Sequence, residues 1–500
     1  MERLKNICLL LIAMLTLSSQ DGIAQNYFNR IIEFDDAVPL PNELIQITTD
    51  SFVINAKTIL NLKDSNMIIE YDAQSDEYIR YDLEGISPNR RSLLKIKDHY
   101  YLYATNKNNE NDSLTLIKLN EQFDIIEQNN FSSPETLIHQ ARVLEINNSI
   151  YGASAYDPSG DPTRFTHFKK IDTTGNVIWT ENYFDDLRAK GDSDYSVTPD
   201  HHILSANVIR FDIFDTFPQV VKTDTLGNVI WRYDHFEETG STSSPIVNLS
   251  NGNIIFGQAI DLSINELIIK WIWLDANGNY LKEKLQLPYE QFETYGISNF
   301  IEGRGDYFFG HGFYRENAPD SSSQESFGLI TKFDNDGEEI WSHRYKHPDY
   351  NLNGDLYSLI DMIEEENGDL VVLGQISRFS DPSPFKVWLF RLDPTGCPDP
   401  AYCDEFINFT NTEETTPSFK NVKIYPNPSS SFIYIDLPKS HSSGLLEIIN
   451  SYGQVVKKEL TTDAEQHQIK VSDFPNGTYY VKFHDPKEAV IYRSSFLVID

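Results

Sequence analysis

Residues 220–231 read VVKTDTLGNVIW: an apolar strand, a turn built on Gly227-Asn228, and a second apolar strand that ends in Trp231. The phrase recurs along most of the chain. FKKIDTTGNVIW ends at Trp179, LITKFDNDGEEIW ends at Trp341, and IIKWIWLDANGNYL turns at Gly278. VWLFRLDPTGC stops at Cys397, and two weaker copies lie around Phe123 and Ser75. Seven units with turns about 50 to 60 residues apart signal a propeller or an array, not one ordinary core.

Each unit also has a front half. SNGNIIFGQ (250–258), GRGDYFFGHG (303–312) and ENGDLVVLGQ (366–374) are a tight Gly turn followed by a strand, and another apolar stretch such as LYSLIDMI precedes each. That makes four short strands per unit, with Asn-Gly or Asp-Gly at hairpins, where positive φ is cheap. No helical periodicity intervenes, so the chain is read as all-β: a seven-bladed β-propeller over residues 25–403. The seventh unit (356–393) supplies only three strands. The stretch 26–36, NYFNRIIEFDD, is expected to become its outer strand and close the ring, which removes two open sheet edges.

The copies loosely resemble the repeat of quinoprotein-like propellers, in which an Asp–turn–Gly–Trp phrase locks neighbouring blades. Asp172, Gly175 and Trp179 match that phrase, as do Asp224, Gly227 and Trp231, and Asp334, Gly337 and Trp341. The Trp rings are therefore read as packing between blades, where a large ring with one N–H donor fills a wedge and still finds a partner. Ligand stacking is the competing reading.

Residues 1–24 read as a signal peptide. Arg3 and Lys5 form a basic start, Ile7–Leu17 is apolar but too short to span a bilayer, and Gly22-Ile23-Ala24 ends in small residues, with cleavage expected after Ala24. No transmembrane segment is expected in the mature chain. The net charge of −34 belongs entirely to residues 25–419, since basic and acidic residues balance in 1–24 and in 420–500. So acidic a domain is repelled by phosphate backbones, which excludes nucleic acid as a partner. The plain reading of the charge is solubility, and the sharper one is binding of cationic or metal-bridged ligands.

With Cys8 inside the leader, Cys397 and Cys403 remain. An even, closely spaced pair in an exported chain is expected to form a disulfide, which would stabilise by about 2–3 kcal/mol on the chain-entropy model. Residues 404–420, polar and Thr-rich, read as a linker. Residues 421–500 alternate apolar runs with turns, as in a small β-sandwich of six or seven strands.

In this last segment VKIYPNPSSSFIYIDL, LEIINSYGQVVKKEL, IKVSDFPNGTYYVKF and the terminal FLVI occur in order. They resemble the type A C-terminal sorting domain of the type IX secretion system. Tyr425, Pro426, Asn427 and Pro428 match its opening motif, Gly453 lies in its middle turn, and Gly477 and Tyr479 lie in its late one. The resemblance implies passage through the periplasm, engagement of the type IX secretion machinery, and delivery to the cell surface or the extracellular medium.

The 1–2 and 3–4 connections of the units are tight, whereas the 2–3 connections are often long: 156–167, 210–218, 314–326 and 377–385. One face of the disc is thus elaborated, and function on a rigid scaffold concentrates in such loops. Tyr156, Arg164, Phe165, Phe214, Tyr314, Arg315 and Arg378 on that face are candidate ligand residues, aromatic and Arg side chains being what a protein or sugar surface uses. Packing of the loops is the plainer role for many of them.

Other signals point away from chemistry. His343 and His347 have the spacing of a zinc helix, but they lie in a strand pattern without an adjacent Glu. Asp334–Glu339 resembles half a calcium loop, yet it occupies the repeat's own hairpin position. There is no GxSxG elbow, phosphate loop or HExxH. No catalytic residue, metal or cofactor is therefore assigned. The leading expectation is an exported propeller that binds extracellular protein or glycan. The alternative is an extracellular hydrolase or lyase acting on polysaccharide or peptide, which a cluster of carboxylates or His around the axis would favour. Quinone-dependent oxidation would require a cofactor pocket.

Overall fold

The computed structural model describes residues 27–398 and 418–499. Within the first part it leaves out 61–62, 108–112, 132–137, 157–164, 184–187, 190–193, 211–215, 236–244, 264–265, 287–292, 318–323, 351–354 and 379–383. Within the second it leaves out 438–444, 451–454, 461–465, 473 and 486–489. The leader expected at 1–24 and Cys403 therefore lie outside the described residues.

Among the described residues the first part folds as seven antiparallel blades, each four strands deep. Blade one is typical: Leu40–Thr48 is innermost, followed outward by Ser51–Leu60, Lys63–Asp72 and Glu77–Leu83. The inner strands of the next five blades are Ile86–Ser87 with Leu93–Ile96, Ile138–Ile146, Arg188–Ala189 with Asp194–Val197, Ile246–Asn248, and Glu293–Glu302. Blade seven starts at Leu356–Glu364, and its outer strand is the N-terminal Asn29–Ile32, antiparallel to Phe385–Leu392. The ring closes as the strand count requires. Phe28, Ile32 and Phe34 then bury against Phe52 and Ile69 of blade one and Leu373 and Leu389 of blade seven. Burial of each such side chain contributes about 1.5–3 kcal/mol.

The repeated phrase builds one device. The Asp carboxylate accepts the N–H groups two and four residues on: Asp224 Oδ1 takes Leu226 N at 2.8 Å and Asn228 N at 2.9 Å, and Asp172, Asp275, Asp334 and Asp393 do the same. The Asp334 segment is thus a hairpin whose carboxylate is held by backbone amides. Each of these five turns also offers a carbonyl to the preceding blade, at Thr173, Thr225, Ala276, Asn335 and Thr395. Tyr101 and Tyr151 hydroxyls donate to Thr173 O and Thr225 O, both at 3.4 Å. Trp231 and Trp273 donate Nε1–H to Ala276 O and Asn335 O, both at 3.1 Å, and His343 donates Nε2–H to Thr395 O at 3.0 Å. The ring that locks two blades is thus not always the Trp of the phrase. Trp341 instead stacks on His343 with centroids 4.7 Å apart.

At the seventh junction a guanidinium does this work. Arg391, fully buried, pairs with Glu365 at 3.0 Å and Asp50 at 3.2 Å, and donates to Thr49 O of blade one. Beyond the turns, the outer strands are bulged in five blades. Ile126, Ile178, Ile230, Leu281 and Ile340 are skipped by the ladder and stand exposed.

The second part contains eight strands among its described residues, more than the six or seven expected, because the chain pairs earlier than the sequence pattern shows. Ser418–Asn421, which begins inside the stretch read as linker, lies parallel to Val490–Val498 in a five-stranded sheet. A three-stranded sheet of Lys423–Tyr425, Phe432–Asp436 and Gln466–Lys470 completes the sandwich over Ile433, Ile448, Val481 and Phe496.

The lock can be weighed by comparing two glycines. Gly252 and Gly278 both have φ +82, but a Cβ on Gly252 meets nothing within 4 Å, whereas one on Gly278 would lie 2.6 Å from the Trp231 ring. Gly252→Ala is expected to cost about 1 kcal/mol for the left-handed backbone alone, and Gly278→Ala about 1–3 kcal/mol more for the displaced ring. Urea unfolding of the two variants measures the difference.

Candidate functional site

The inner strand of each blade turns one edge to the axis, so its amides have no strand on that side and need other partners. Most inner strands are interrupted where they meet. Register shifts fall at Pro41/Glu43, Ile138/Gln140, Ile297/Asn299 and Leu359/Asp361. The inner strands of blades two and four are split, with Arg91 just before one restart and Asp194 at the other. Bulges re-aim side chains, and here they send polar ones inward. In blade six the bulge depends on Gly312, because a Cβ there would sit 1.9 Å from Gly296 O.

The result is a polar ring around the axis. Three carboxylates cap amides of the next blade: Glu43 Oε2 accepts Leu93 N at 2.9 Å, Asp194 Oδ2 accepts Ile246 N at 3.0 Å, and Asp361 Oδ2 accepts Leu44 N at 2.9 Å. Two guanidiniums converge on Asp194 Oδ1, Arg91 at 2.9 Å and Arg142 at 2.7 Å. Arg91 also reaches Tyr195 O at 3.0 Å and Asn299 Oδ1 at 2.9 Å, which ties blade two to blades four and six. Its φ of 54° is uncommon for a residue with a side chain, and Val143 N holds its carbonyl at 2.8 Å. His311, fully buried, sets Nδ1 3.4 Å from Leu359 O, while its Nε2 has no partner among the described residues.

The electrostatics follow from burial. Glu43 is pushed from the ordinary 4.5 up to about 8 by loss of water, with Asp361 adding to the effect and the Leu93 amide opposing it. Asp361 is raised for the same reason, with Arg91 opposing. Burial works against the charge on Arg91, but Asp194, Asp361 and Glu43 outweigh it and hold its pKa above the ordinary value. His311 falls to about 3 through burial, with Arg90 and Arg91 contributing, and stays neutral.

The residues chosen from the loops are dispersed. Arg164 and Phe214 lie outside the described residues, and Tyr156 and Phe165 pair with each other at the end of blade three. Tyr314 and Arg315 are not in a loop, because the strand Tyr307–Asn317 extends past them. Tyr314 is 2% exposed, with the Arg344 guanidinium 3.4 Å from its ring centroid, so it packs the blade and does not offer a contact. Arg315 leans on Phe313, 4.7 Å to its centroid. Arg378 grips Asp355 through two bonds of 2.6 and 2.7 Å and covers Tyr350, fastening its own loop. His343 is committed to the blade lock, and His347 Nδ1 accepts Asp349 N at 3.3 Å. Cys397 is disulfide-bonded; its expected partner Cys403 is outside the described residues.

In the sandwich, Asn427 acts as a surrogate strand. Its Oδ1 accepts Leu497 N at 2.9 Å and its Nδ2 donates to Ser495 O at 3.1 Å, while nearby Ser429 N donates to Leu497 O at 2.9 Å and Ile499 N donates to Ser429 O at 3.0 Å. Tyr425 donates to Asp436 at 2.9 Å, and Tyr479 stacks on Phe496 in the core. Gly453 is outside the described residues. Residues 423–495 match the model of the family described as a secretion system C-terminal sorting domain. The chain carries a type IX sorting domain. It is exported to the cell surface or the extracellular medium.

No curated protein matches the sequence. Among solved structures, an ulvan lyase founding a polysaccharide lyase family is similar at 10% identity and TM-score 0.50, over 72% of this chain and 96% of that one. The β-propeller domain of the trilobed protease from Pyrococcus furiosus is similar at 11% identity and TM-score 0.43, over 71% and 93%. At such identities the likeness concerns the fold alone.

Two measurements follow. Glu43 binds its proton more tightly folded than unfolded, so its stabilising contribution is complete below the unfolded pKa of 4.5 and is lost as pH rises through about 8. Glu43→Gln is therefore expected to gain melting temperature relative to the parent between about pH 5 and about pH 9, as read by thermal scans. Deleting residues 421–500 is expected to leave the propeller in the periplasm, as read by cell fractionation.

Proposed function

We propose that the exported propeller binds an extracellular glycan or protein, using the axial ring and the loop face around it. The observation that carries this reading is the commitment of the axial carboxylates. Glu43, Asp194 and Asp361 each hold a backbone amide of the next blade, which makes them struts of a rigid polar ring. A rigid surface that carries fixed donors is what recognition requires, and the sorting domain delivers it to where polymers are met.

One observation favours a second reading, an extracellular hydrolase or lyase acting on polysaccharide or peptide. Glu43, raised to about 8 beside Asp361, keeps a proton near neutral pH, as a general acid must. The two readings separate in one experiment. The secreted chain is incubated with insoluble polysaccharides and extracellular proteins, and both depletion from solution and release of soluble product are assayed. Binding predicts depletion without product. Product release that is lost in Glu43→Gln replaces it with catalysis.

A further inference from the structure

Around the axis, acceptors and donors are unequally used. Each of the three carboxylates is occupied by a backbone amide, and Asp194 by two guanidiniums besides. The guanidiniums are not used up. Among the described residues Arg142 makes one hydrogen bond, through Nη1 to Asp194, and its other donors meet no acceptor there. Arg91 spends Nη1 on Asp194 and Tyr195 O and one Nη2 hydrogen on Asn299, which among the described residues leaves its Nε and one Nη2 hydrogen. Neither side chain is sealed: Arg91 is 27% exposed and Arg142 is 12% exposed. The exposed Arg90 stands next in the chain. Against these cations stand Asp194 and Asp361, with Glu43 carrying its proton near neutral pH. Two guanidiniums thus stand at the centre of a chain whose net charge is −34.

On the binding reading above, we infer that this centre is an anion site, in which the free guanidinium donors of Arg91 and Arg142 take a carboxylate on a small ligand or at the end of a polymer. Guanidinium forks match the two oxygens of a carboxylate, and charge-assisted bonds of this type are the strong ones. Asp194 holds both forks in place before the ligand arrives, so little ordering cost is left to binding. The acidic body of the propeller repels polyanions, so a single charge is favoured over a highly charged chain. A carboxylate can come from an acidic sugar or from a peptide C-terminus.

The test is titration calorimetry of the secreted chain with four probes: D-glucuronate, D-glucose, triglycine and triglycine amide. Heat with glucuronate and none with glucose identifies the sugar acid. Heat with triglycine and none with its amide identifies the peptide terminus. Either result supports the site, provided that Arg142→Gln weakens binding by at least about tenfold. Asp194 keeps its bond to Arg91 in that variant, and a thermal scan verifies that it folds. Arg80→Gln, on the outer strand of blade one, removes the same charge far from the axis and is expected to bind as the parent does. Equal heats for the charged and neutral probes, no heat with any probe, or unchanged affinity in Arg142→Gln overturns the site. A chain that captures a polymer from the panel yet gives no heat with either carboxylate loses the anion site and keeps the binding reading. Heat with a carboxylate from a chain that captures no polymer does the reverse.

Discussion

Seven wedges around an axis hold together only if the last one meets the first. That constraint rests on the pairing of Asn29–Ile32 with Phe385–Leu392 and on the layer of apolar side chains it completes. Every blade junction has the same need, an interface on each side of a narrow sheet, and six of the seven are made between consecutive stretches of chain. The seventh joins strands far apart in sequence. There Arg391 replaces the aromatic lock, buried among Glu365, Asp50 and Phe28. Removing one member of such a cluster leaves the other charges without compensation, which generally costs about 3–5 kcal/mol. The closing junction is thus the one most dependent on ionic partners.

The ring also solves one problem twice, at its two radii. Away from the axis, the Asp of the turn in blades three to seven satisfies amides of its own hairpin, and a ring from the blade before satisfies a carbonyl of that turn. At the axis, carboxylates satisfy amides of the neighbouring blade. The first solution is local and repeats with the sequence. The second is assembled from residues that no two blades share, which is why the axis can carry individual chemistry while the turns cannot.

That difference explains what could be read in advance. The propeller, the closing strand and the sorting domain were legible because each is written in local patterns: Asp224 and Gly227 with Trp231, a three-strand remainder at blade seven, and Tyr425-Pro426-Asn427-Pro428. The axial ring was not, because Glu43, Arg91, Asp194 and Asp361 come from four blades. A faint signal existed. Asp361 interrupts the apolar run LYSLIDMI, and Gly310 and Gly312 flank His311 where a strand would ordinarily place larger residues. The loop residues misled for a physical reason. Tyr314 lies on a strand that runs longer than its polar flanks suggest, and Arg378 serves the loop that contains it.

The bulged outer strands have a consequence for a chain that must travel. A propeller closes its ring but leaves one unpaired edge per blade at its circumference, and each such edge could accept a strand from another molecule. Skipping Ile126, Ile178, Ile230, Leu281 and Ile340 breaks the regular spacing of amides and carbonyls at the start of five of those edges. An incoming strand finds a register shortened at that end. For a protein that is exported, this irregularity disfavours rim-to-rim pairing of neighbouring molecules, a colloidal property written into the outer strands.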